Sequence, residues 1–173
     1  MTRYAVFLRG VNVGGRIIKM ADLKVCLEKA GMQDVTTLLQ SGNVVFESDQ
    51  SAAELKKLIE AALSETFGYP AKAQVLSLET LAAIVERYPF GTAGDNQHDY
   101  VIFLENGLEK DLAGELCELA DGEQVQPGRG VTYWRVDKGA TLKSSFAKFL
   151  TKAKYKDFNT NRNLKTLKKL LAL

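Results

Sequence analysis

The run "RYAVFLR" (Arg3–Arg9) is β-branched and aromatic enough to be a strand, and "DYVIFL" (Asp99–Leu104) repeats its character almost a hundred residues later. After the first run a glycine loop leads into a helix from about Met20 to Ala30. There Leu23, Cys26, Leu27 and Ala30 fall at helical spacing and Gly31 gives the stop signal. "VTTLLQ" (35–40) and "NVVFES" (43–48) read as a hairpin turning at Ser41-Gly42. Ser51, with Glu54 three residues on, forms a capping box for a helix with the apolar stripe Leu55, Leu58, Ile59, Ala62 and Phe67, which Gly68 ends. With "KAQVLS" (72–77) as a fourth strand, the order is β-α-β-β-α-β, that of a ferredoxin-like split unit.

The same order follows the second run: a helix over about Lys110 to Leu119, strands at 123–126 and 131–136 around the turn "PGRG", a helix over about Ser144 to Thr151, and an extended piece near Asp157 to Asn161. The echo lies in element order rather than in residue identity. The expectation is therefore an α+β protein of two ferredoxin-like (βαββαβ) units, residues 1–77 and 99–173. A linking helix and loop (78–98) joins them, and a basic helix from about Asn163 to Ala172 ends the chain.

At 173 residues and 46% hydrophobic content the chain can build one sizeable core or two small ones. No segment approaches the roughly 20 apolar residues of a membrane span, and no leader pattern is legible at the N-terminus. Cys26 and Cys117 stand far apart at apolar helix positions and read as reduced core thiols, which points to the cytoplasm. One histidine and two separated cysteines do not make a zinc ligand set, and no hydrolase triad motif occurs. No metal and no cofactor is expected. His98 beside Asp99 has the chemistry of a lone general base, but its place at the end of a polar loop reads as an ordinary surface histidine.

The net charge of +2 conceals a segregation. From Lys138 to Leu173 ten basic residues face the single acid Asp157, which leaves thirteen basic and twenty acidic residues before them. The C-terminal region thus carries +9 and the remainder −7. Such a distribution suits an anionic partner, the protein's own acidic part, or simply a solvated lysine-rich face.

In the split βαβ order the first and second strands run toward the same end of the sheet, so the loop Gly10–Lys19 and the hairpin tip must share one edge. That edge gathers Arg9, Gly10, Asn12, Gly14, Gly15, Arg16 and Lys19 with Gln40, Ser41 and Asn43. Glycines there either let backbone N–H groups point outward as an anion nest or serve tight turns alone. The spacing is neither a P-loop nor a dinucleotide fingerprint. A small anionic ligand is the leading expectation. One alternative is nucleic acid bound through Arg162, Lys165, Lys168 and Lys169; another is a metal-independent enzyme acting on a phosphorylated small molecule. For nucleic acid, the third strand carries Asn43 and Val44 where an RNA recognition motif needs rings, and Tyr133-Trp134-Arg135 is the better aromatic surface, unless it packs inward.

"FLRGVNVGGRIIKMADL", "LLQSGNVVF" and "TNRNLKTLKKL" together resemble the bacterial family called domain of unknown function 1697. Its pattern includes R-G-[IV]-N-V-G-G, K-M-x-x-L, Q-S-G-N-V-[VI]-F and a late T-x-R-N-W-x-T motif. The resemblance implies two ferredoxin-like parts and no assigned activity. It marks Arg9, Gly10, Asn12, Gly14, Gly15, Lys19, Met20, Gln40, Ser41, Gly42, Asn43, Thr160, Arg162, Asn163, Thr166 and Lys169. Leu164 stands where the pattern has Trp.

Overall fold

The structure is a computed structural model that describes residues 1–11, 15–115, 122–140 and 144–173. Its elements are β1 (Thr2–Arg9), α1 (Met20–Lys29), β2 (Gln33–Leu38), β3 (Asn43–Ser48), α2 (Ala52–Phe67), β4 (Lys72–Ser77), α3 (Leu78–Glu86), β5 (Gln97–Leu104), α4 (Leu108–Glu115), β6 (Gln124–Pro127), β7 (Val131–Asp137), α5 (Ser145–Leu150), β8 (Asn159–Asn163) and α6 (Leu164–Leu171). They form two four-stranded antiparallel sheets of order β2-β3-β1-β4 and β6-β7-β5-β8, so the repeated order read from the sequence is the order observed. One compact unit comprises Met1–Ala82 with Lys169–Leu173, the other Ala83–Lys168.

In the first unit, strand alternation turns Tyr4, Val6 and Leu8 of β1 and Val44 and Phe46 of β3 to one face. Leu23 and Leu27 of α1 and Leu55, Ile59 and Leu63 of α2 pack on it. Full burial of such a side chain stabilises by roughly 1.5–3 kcal/mol. The capping box is present: the Ser51 hydroxyl accepts from the Glu54 N–H, and the Glu54 carboxylate accepts the Ser51 N–H at 2.9 Å. Gly68 ends α2 in the left-handed conformation. Glu60 Oε1 accepts from both Lys56 Nζ (2.7 Å) and the Ala73 N–H (3.0 Å), which fastens α2 to the start of β4.

The second unit is built around aromatic rings. Trp134 lies 5.1 Å from Tyr100 and 5.2 Å from Phe146, with Ile102, Leu112, Leu150 and Tyr155 around them. Lys154 bridges to Asp111 (3.2 Å) and Glu115 (2.8 Å) of α4, so part of the basic C-terminal region neutralises an acidic helix of its own unit. The Tyr155 hydroxyl donates to Glu115 at 2.6 Å; burial first, and then that bond, push its pKa up to about 12.

Two helices extend the repeat by one element each. α3 follows β4 directly, starting from a Ser77 whose hydroxyl accepts the Thr80 N–H, and α6 follows β8 directly, starting from an Asn163 whose side chain accepts the Lys165 N–H. The linking helix and the final helix are thus equivalent, and the repeat is β-α-β-β-α-β-α. The expected end of α4, with Cys117, lies outside the described residues; Cys26 is a buried free thiol. Among the described residues no helix is long and apolar enough to cross a membrane.

Candidate functional site

The end of β1 and the tip of the β2–β3 hairpin meet at one edge of the first sheet. Phe7 pairs with Asn43, and the Leu8 N–H donates to the Gly42 carbonyl at 2.9 Å. Gly42 has φ +81°, and a Cβ there would come 2.8 Å from that of Leu8, so both conformation and close approach require glycine. Asn43 is fully buried; its amide donates to the Leu38 carbonyl at 3.0 Å and to the Ser41 hydroxyl at 2.8 Å, fixing the hairpin tip.

Around this frame stand the cations. Arg9 lies opposite Lys72 in the β1–β4 ladder, so the two side chains leave the same face of the sheet. Lys19, the residue before α1, is exposed, has extended backbone and places no side-chain cap on the helix, so the positive end of the α1 dipole opens onto this edge. Arg16 folds back on the loop: its guanidinium donates to the Gly10 carbonyl at 3.0 Å and lies 4.3 Å above the Tyr69 ring. The Tyr69 hydroxyl is buried without a hydrogen-bond partner among the described residues. Burial raises its pKa, with the Arg16 charge acting the other way.

Of the residues singled out in the sequence, Arg9, Gly10, Gly15, Arg16, Lys19, Gln40, Ser41 and Asn43 therefore belong to the two segments at this edge; Asn12 and Gly14 lie outside the described residues. Arg16, Ser41 and Asn43 make hydrogen bonds within the edge itself. Lys72 and Tyr69 were missed. Lys72 is legible only once β1 and β4 are paired, and Tyr69 carries no local signal beyond following the Gly68 cap.

The second unit supplies an internal control. Phe103 pairs with Val131 and the Leu104 N–H donates to the Gly130 carbonyl at 3.2 Å, which places Glu105 where the first unit has Arg9, and Asn106 where it has Gly10. Both of the latter have positive φ, 56° at Asn106 and 69° at Gly10. Beyond them the units part. In the second, α4 begins at Leu108; in the first, positions 10 to 19 separate β1 from α1.

Next to the basic C-terminal region the aromatic strand β7 packs inward. Trp134 is 1% exposed, and the buried Tyr133 hydroxyl donates to the Ile84 carbonyl at 2.7 Å. Arg135 is buried with Asp99 (Nε to Oδ1 2.7 Å) and also holds the Phe90 and Gly91 carbonyls at 2.7 and 2.8 Å. None of the three is open to a base. Arg162 is half-buried in β8, donates to the Asn161 carbonyl at 2.9 Å, and has its pKa lowered by burial to about 10, so it stays cationic at neutral pH. Leu164, Leu167 and Leu170 of α6 are buried, while Lys165, Lys168 and Lys169 are exposed.

A family model described as "Protein of unknown function (DUF1697)" matches residues 1–133, which include the glycine loop and the hairpin but not the late T-x-R-N motif. The chain is similar to a solved structure, that of conserved bacterial protein SP0830 from Streptococcus pneumoniae. The two are 29% identical with a TM-score of 0.83, over 99% of this chain and 97% of that one. No curated protein matches.

Proposed function

The chain belongs to the DUF1697 family, whose members have no assigned function, and from that premise we propose that it binds a small anionic ligand at the edge formed by Arg9 to Lys19 and Gln40 to Asn43. The observation that carries the reading is the contrast between equivalent edges. Where the second unit has Glu105 and a short acidic connection, the first has Arg9 facing Lys72, an extended loop with Lys19, and a helix start without a side-chain cap. Long connections on a rigid sheet are where binding groups concentrate, and four cations, Arg9, Arg16, Lys19 and Lys72, give this one its sign. Arg16 serves by holding the loop in shape, and the others by facing the ligand. Within the same reading each unit is ferredoxin-like, and the protein works in the cytoplasm, where the buried Cys26 stays a thiol.

A thermal-shift screen with inorganic phosphate, nucleotides and sugar phosphates tests it, since a ligand at 100 times its Kd stabilises by about 2.7 kcal/mol. The gain should shrink in an Arg9→Gln/Lys72→Gln variant that melts normally without ligand. A melting temperature that no anion moves, or a gain as large in the variant as in the unaltered protein, would overturn the reading.

A further inference from the structure

A second cluster of cations lies within the second unit, at the end of its sheet where β5 begins and β7 and β8 finish. Thr92, His98, Lys138, Asn163, Lys165 and Lys168 line a cavity there of about 420 Å³. The loop that walls it is fixed: the Gly94 N–H donates to the Gln97 side chain at 3.0 Å, the Gln97 N–H to the Gly94 carbonyl at 3.1 Å, and the Lys138 N–H to the Asn96 carbonyl at 2.7 Å. None of the three lysines forms an ion pair with any described residue.

Two acids also border the cavity. Asp99 is spent: it accepts from Arg135 at 2.7 and 3.2 Å and from the Tyr88 hydroxyl at 2.6 Å. Asp95 is exposed on the rim. Three lysines thus line a small cavity against one solvated carboxylate.

We infer that this cavity is a binding site for a small phosphate monoester, separate from the edge of the first unit and not dependent on it. The size falls in the lower part of the roughly 300–1,000 Å³ range of small-molecule pockets. Among the described residues no arginine lines it, and the Arg135 guanidinium, next to it through Asp99, is consumed by that carboxylate, so the planar fork that suits a carboxylate is missing. Lysines act as point charges and suit a tetrahedral dianion approached from several sides. Asn163, its carbonyl oxygen taken by the Lys165 N–H at 2.9 Å, keeps its amide donors for the ligand, and Thr92 adds a hydroxyl.

Amide-resolved NMR of the whole nitrogen-labelled chain, titrated in parallel with glycerol 3-phosphate, malonate and a short oligothymidylate, separates the outcomes. The inference expects saturable shifts at Gly94, Gln97, His98 and Lys165 with glycerol 3-phosphate, and at least tenfold weaker binding in a Lys138→Gln/Lys165→Gln/Lys168→Gln variant whose other amides stay in place. Shifts confined to Gly10, Gly15, Arg16 and Lys19 would overturn it and leave the first-unit reading standing. So would tighter binding of malonate than of the phosphate ester. Preference for the oligothymidylate, with affinity falling steeply as salt rises, would assign the lysines to a polynucleotide backbone and overturn it too.

Discussion

Arg3 faces Glu47 in the first sheet and Asp99 faces Arg135 in the second, at the same rung of equivalent ladders and with the charges exchanged. The first pair sits 3.9 Å apart with side chains 41% and 35% exposed; the second is in contact at 2.7 Å and is 12% and 6% exposed. Topology was indifferent to the swap, because alternating apolar residues and the turn positions set the pairing on both sides. The energetic weight of the rung was not. A pair in water contributes about 1 kcal/mol or less. A buried pair has its charges desolvated, so its removal by halves leaves a stranded charge.

Breaking each rung is the sharpest test of that contrast. Arg135→Met abandons Asp99 and two backbone carbonyls, and should cost about 3–5 kcal/mol in chemical denaturation. Arg3→Met should cost about 1 kcal/mol or less. Equal losses would mean that the two rungs differ in geometry only. An intermediate effect is expected at the hairpin tips. Gly42→Ala must strain a left-handed backbone and displace Leu8, at about 1–3 kcal/mol. Gly130 also has positive φ but open space at its Cβ position, so Gly130→Ala should cost about 1 kcal/mol. Paired urea melts of the two variants give the difference directly.

The smallest effect concerns helix starts. α2 opens on a Ser51–Glu54 box, whereas α5 opens on the Ser144 hydroxyl alone, which accepts the Ala147 N–H at 2.9 Å. The Ser51 hydroxyl and then its backbone N–H hold the Glu54 carboxyl below the usual range. A depressed folded pKa means stabilisation present above the unfolded value of about 4.3 and lost as the pH falls through the folded one. Carbon-detected titration of Glu54 should show the low midpoint, and Glu54→Gln should remove that part of the acid dependence. No such term should arise at α5.

Much of this was legible in the residues. β3 and β4 fall where alternation places them, and the capping box and Gly68 fix α2. The β2–β3 hairpin turns two residues earlier than Ser41-Gly42 suggests, because Leu39 takes positive φ and ends β2 at Leu38. β8 reads "NTNRN", without apolar character, and is a strand because β5 offers it a ladder. For the candidate site, the cations of the loop could be read directly. Lys72 needed the register, and the fate of Arg16 needed Tyr69, a contact that no local pattern encodes. Arg135 likewise could not be read as buried until Asp99 was known to face it.

The division of the chain has a consequence for the order in which it is made. All strands of the first sheet lie within residues 2–77, so they can pair while later segments are still on the ribosome, with only short loops to close. Yet Lys169–Leu173 are grouped with that same unit, and Leu170 among them is fully buried. The unit translated first is therefore finished last: its sheet can form early, but its packing is complete only when the end of α6 has emerged.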